Sequence, residues 1–198
     1  MSERHTFIRG LHDVGLAAWF GGSLMGAVGL NGAAGDEGGT EVATDRIASA
    51  GWAKWTPVNA AAIALHLFGS GGLLAVNAHR VATQQGVAAS TAAKTVVTGA
   101  ALAATAYARV LGKKVELASS GDPQDAERSA EHPVDLDKAR RQLAWVQWAV
   151  PALTGCLVVL NALHGEQQRP AEQVSGVWGR AASLTRHVPP GVGFHLPH

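Results

Sequence analysis

Three stretches of this chain, residues 14–35, 55–79 and 142–165, run for 22, 25 and 24 residues without an Asp, Glu, Lys or Arg. At about 1.5 Å per helical residue each is long enough to cross a hydrocarbon core of about 30 Å. Backbone N–H and C=O groups find no water in lipid, so a segment placed there pairs them within itself as a helix. Between the second and third runs, residues 95–108 give 14 more uncharged positions. That stretch spans only if Lys94 and Arg109 reach toward opposite interfaces.

The expectation is an all-α, integral membrane four-helix bundle with spans near 12–33, 55–78, 92–112 and 142–164. A long polar loop joins the third and fourth helices, and a polar tail follows. Residues 1–165 form the transmembrane domain on this reading, and 166–198 a partly disordered tail that carries an amphipathic stretch at 174–184. A soluble Ala-rich bundle is the competing class, but three uncharged runs of this length are rare in soluble domains. A cleaved leader fits the first run poorly. It exceeds the usual 7–15-residue apolar region and has no A-x-A site before Asp36.

The remaining composition mainly excludes. Sixteen basic against 15 acidic residues offer no charge excess for nucleic acid. The single cysteine, Cys156, cannot close an intramolecular disulfide. No Walker A, G-x-S-x-G, H-E-x-x-H or C-x-x-C sequence occurs, so the chain is not expected to be an enzyme. Arg outnumbers Lys 11 to 5 and Ile occurs three times, which suits a GC-rich bacterial chain and a home in the cell membrane. Seven basic residues lie between Arg109 and Arg141, and two more at 36–54. Clustered positives favour the cytoplasm, which puts both termini outside.

Thr56-Pro57 reads as the start of the second span, a capping hydroxyl followed by a proline suited to the first turn. Pro151 falls inside the last span and bends it near Gln147. Gly22 and Gly26 make a GxxxG on the first helix, a signature of close helix packing. Trp52, Trp55, Trp145 and Trp148 stand at the starts of the second and fourth spans. Indoles there anchor at the membrane interface, with packing between helices or against a partner as the alternative.

At the opposite interface the same alternation gathers His12 with Asp13, Asn77 with His79, and Asn161 with His164. Neutral imidazoles bind metal, haem or quinone, with carboxylate or amide groups orienting the rings; the alternative is histidines that mark helix ends. His66 lies at mid-span, where a polar side chain must face the bundle. It is either functional or a neutral imidazole bonded to a carbonyl or to Ser70. With no second histidine at that depth, a bis-His haem within one chain is not expected.

Residues 12–22, H-D-V-G-L-A-A-W-F-G-G, resemble the first-helix pattern of copper-resistance-D-type membrane domains. His12, Trp19, Gly21 and Gly22 carry the resemblance. It implies a helical bundle of the bacterial inner membrane, in some members linked to copper uptake. With two methionines, Met1 and Met25, a soft copper path has little to draw on here. The function expected is a non-catalytic accessory or scaffold subunit of a membrane complex, in contact with lipid and with other subunits or a second copy. The alternatives are a histidine-based metal, haem or quinone site and a component of a small transporter.

Overall fold

The computed structural model describes the backbone of residues 3–83, 85–131 and 133–186, and side chains over 6–79, 81–83, 86–131 and 133–163. Among the described residues there are six α-helices and one π-helical turn: α1 (Glu3–Met25), the π turn (Gly26–Leu30), α2 (Asn31–Gly38), α3 (Glu41–Thr83), α4 (Gln85–Ser119), α5 (Pro123–Glu131) and α6 (Leu136–Arg186). No strand occurs among the described residues. Four segments, Thr6–Gly38, Glu41–His79, Gly86–Ser119 and Leu136–Leu163, are long and apolar enough to cross a membrane.

Helix boundaries depart from the charge pattern. Residues 36–54, expected as a loop, are the end of α2, a tight turn and the first fourteen residues of α3. The turn is made by Gly39, left-handed at φ 66°, and by Thr40, whose hydroxyl accepts from Ala43 N at 3.3 Å. The capping threonine is therefore Thr40 and not Thr56. Pro57 lies inside α3, where it removes a donor. Thr56 Oγ1 donates to Trp52 O at 2.8 Å, a bond along the helix and not a cap. Charges on residues 41–54 do not stop the helix, because nothing there breaks helical geometry.

The polar connection after α4 is also partly helical. Gly121 turns the chain at φ 74°, Asp122 Oδ1 accepts from Gln124 N at 2.8 Å, and Pro123 opens α5. Asp135 caps α6 in the same way, accepting from Lys138 N at 2.9 Å. The helix then continues through Pro151.

Two units divide the chain, Met1–Leu160 and Asn161–His198. In the second, the α6 backbone continues helical to Arg186. The tail expected over 166–198 is thus helical as far as Arg186, and residues 187–198 lie outside the described residues, as do the side chains of the amphipathic stretch.

In the first unit, four helices contribute one residue each to a buried layer of Trp19, Ala62, Ala101 and Val150. A second layer joins Leu111 and Val115 of α4 to Ala139 of α6. Helices α1 and α3 run antiparallel in close register. A Cβ on Gly15 would lie 2.5 Å from the His66 backbone nitrogen, and one on Gly69 would lie 2.5 Å from that of His12. The backbones approach this closely only where the side chain is a hydrogen. Two to three turns further along, the rings of Trp55 and Trp52 take the space above Gly22 and Gly26.

Candidate functional site

The bundle leaves open space between its two buried layers. Beyond the Trp19 layer, toward the start of α3 and the end of α4, lies a cavity of about 460 Å³ bounded by all four long helices. Its walls include Ala48, Ile63, Leu102, Val115, Leu143 and Val150. Polar side chains occupy defined places on this wall. Asn31, first residue of α2 after the π turn, accepts from Trp52 Nε1 at 2.9 Å and donates to Gln147 Oε1 at 2.8 Å. Three segments distant in sequence are thereby tied through one amide. Thr105 Oγ1 accepts from Trp19 Nε1 at 3.2 Å and donates to Ala101 O at 2.8 Å.

Charge collects at one end of the cavity, and it is paired. Arg140 directs Nε and Nη2 onto Asp45 Oδ2 at 2.9 and 2.7 Å, while Nη1 reaches Glu41 at 3.0 Å. The Arg140 and Asp45 side chains are only 25% and 17% exposed, so the pair is partly desolvated. Glu116 is shared by Lys113 at 2.8 Å and Arg109 at 3.4 Å. Trp55 and Asn59, which both contribute to the lining, each bury one side-chain atom without a protein partner, Nε1 and Oδ1.

The predicted histidine site is rearranged. The His12 and His66 rings lie 4.4 Å apart, centroid to centroid, tilted by 41°. His66 is 2% exposed and its Nδ1 is 3.3 Å from His12 O. A carbonyl only accepts, so Nδ1 carries the proton. Ser70 Oγ donates to the His66 carbonyl and not to its ring, at 2.8 Å. The expectation that His66 has no histidine at its depth is corrected, because the α1–α3 register sets His12 beside it.

The same register separates His12 from His79. His12 faces Gly69, ten residues before His79, or about 15 Å along the helix axis. His79 is exposed, and the His164 side chain lies outside the described residues. Asp13 accepts from His12 Nδ1 at 2.8 Å, Asn77 donates to Leu73 O at 2.8 Å, and Asn161 is half-buried. Among the described residues no group of three or more His, Cys, Asp and Glu side chains gathers closely enough to hold a metal.

The four tryptophans separate into two pairs. Trp145 and Trp148 face outward, 81% and 54% exposed. Trp52 and Trp55 are turned inward against α1, because Gly22 and Gly26 leave room for their rings, and both line the cavity. Gly21 has open space around it, whereas Trp19 is fully buried.

Sequence reasoning missed Asn31, Asn59 and Gln147, although each is a polar residue inside or beside an uncharged run. That was the available signal. The Arg140–Asp45 contact, 95 positions apart, has no local signature. Comparison with protein-family models, with characterised proteins and with solved structures returns no match to this chain.

Proposed function

We propose that this chain is a multi-pass protein of the cell membrane, working by binding and not by catalysis as an accessory subunit of a membrane protein complex. The observation that carries the membrane assignment is the outer surface of the bundle. Phe68 on α3, Val96 and Val110 on α4, Trp145 and Val159 on α6, Met25 at the end of α1 and Val28 in the π turn are all more than half exposed. Apolar side chains directed outward on all four helices suit lipid tails and not water. The Arg109–Arg141 region, with its ion pairs, forms the cytoplasmic end.

The subunit role draws support from small-residue packing, from the exposed Trp145 and Trp148, and from polar helices beyond the spans that offer contact outside lipid. Extraction of native membranes with carbonate tests the first half: the full-length protein remains with the lipid fraction, and release into the aqueous fraction overturns it. Crosslinking in native membranes before mild detergent extraction tests the second. Recovery with at least one further subunit is expected, and a solitary monomer overturns the role while leaving the membrane assignment standing.

A further inference from the structure

The cavity wall is mostly hydrocarbon, because its polar groups are engaged within the bundle. The hydroxyls of Ser23, Thr56 and Thr105 donate to the carbonyls of Trp19, Trp52 and Ala101, and the Asn31 amide is shared by Trp52 and Gln147. An apolar body fits such a wall, and a sugar or other polar solute does not. The space is also long. It follows α4 from Leu102 to Glu116, about 21 Å at the helix rise, longer than one leaflet's share of a bilayer's hydrocarbon, about 15 Å. Ala60, Ala106 and Arg109 belong to the wall and are exposed, so the space is not sealed from the outside of the bundle.

The ionic end of this space has two halves of opposite sign. On α4, Arg109 and Lys113 share one carboxylate, Glu116. Arg109 reaches it through Nη1 alone, at 3.4 Å, and its other N–H groups have no partner among the described residues. On α3 and α6, three carboxylates, Asp45, Glu41 and Asp137, share the single cation Arg140. We infer that the cavity holds an acyl chain of a phospholipid whose headgroup carries both a phosphate and a primary ammonium, the phosphate at Arg109 and Lys113 and the ammonium toward Asp45 and Glu41. A guanidinium with uncommitted donors suits a phosphate, and acids in excess suit an ammonium with N–H groups to give. The second chain lies against Tyr107 and Val110, both exposed on α4. The inference rests on the membrane assignment and is independent of the subunit role.

The test uses the full-length protein in phosphatidylcholine nanodiscs, labelled with ¹⁵N-tryptophan, which gives six indole N–H signals. Trp52 and Trp55, on the cavity wall, and the exposed Trp145 are assigned by their loss in Trp→Phe variants. Phosphatidylethanolamine with a doxyl spin label on one chain, added as a minor component, broadens Trp52 and Trp55 more than doxyl-phosphatidylcholine does. Unlabelled phosphatidylethanolamine restores both signals about tenfold more effectively than phosphatidylglycerol or phosphatidylcholine with the same chains. Arg109→Gln and Glu41→Gln, at exposed side chains, each reduce that preference. Gly112→Leu, on the wall where an added Cβ meets nothing within 4 Å, removes the excess broadening by filling the space. Equal broadening by the two labelled lipids overturns the inference, as does equal restoration by the three unlabelled ones or a preference unchanged in Arg109→Gln. Trp145 reports separately on the membrane assignment: broadening by both labelled lipids supports it, and broadening by neither overturns it together with the inference.

Discussion

The ring of Trp55 lies over Gly22, with its Cζ2 in the space that a Cβ at position 22 requires. Large ring against absent side chain is what joins α1 to α3 along the cavity wall, and it makes position 22 intolerant of any added atom. Gly22→Ala forces Trp55 to move and costs about 1–3 kcal/mol by overpacking. Gly21→Ala, one residue away in open space, leaves stability unchanged or raises it through better helix propensity. Thermal unfolding of the two variants in the same detergent measures the contrast. Equal melting temperatures would show that Trp55 does not occupy this place.

Arg140 holds Asp45 through two N–H groups on a single oxygen, a geometry open to a guanidinium and closed to an ammonium. Arg140→Ala leaves Asp45, 17% exposed, without its counter-ion. The expected loss is about 1–2 kcal/mol, between that of a surface pair and that of a fully buried one. Asp45→Asn in the same background recovers part of the loss, and Arg140→Lys recovers little. A double-mutant cycle on unfolding free energies reads the coupling, and a coupling near zero would contradict the contact.

Asn31 follows directly on the π turn and closes the network between α2, α3 and α6. Asn31→Leu strips the acceptor from Trp52 Nε1, and an unmet donor in a partly buried place costs about 1–3 kcal/mol. The Trp52 indole proton shifts upfield in ¹⁵N-tryptophan spectra, which a purely steric effect would not produce. Gln147→Leu leaves that indole bond in place, so the Trp52 signal stays near its original position.

The helical class and the apolar cores of the long helices could be read from uncharged runs, because a missing charge is a local property of sequence. Helix ends could not be read in this way. Charge at Glu41, Asp45 and Lys54 suggested a loop, yet a helix carries charge on its surface at no cost, and only Gly39 with Thr40 breaks the backbone. Depth assignment failed for the same reason: counting His12 and His79 from opposite run ends placed them together, whereas the Gly15–His66 and Gly69–His12 approaches fix a different register. Trp52 and Trp55 were expected first as anchors, since their inward turn depends on glycines of another helix. The cavity is a deficit of volume among four segments, and no single segment encodes it.

Orientation yields the last prediction. The end of α3 and helix α5 lie at the two ends of α4, whose 35 residues span about 52 Å. If the Arg109–Arg141 region is cytoplasmic, the two ends differ in access to a membrane-impermeant thiol reagent. In a Cys156→Ser background, Gly86→Cys and Glu127→Cys place single thiols at exposed positions, and an added Cβ at 86 meets nothing within 4 Å. Intact cells label the position 86 variant, and label the position 127 variant only after permeabilisation. The reverse pattern inverts the topology, and labelling of both in intact cells removes the crossing between them, which would leave α4 outside the bilayer.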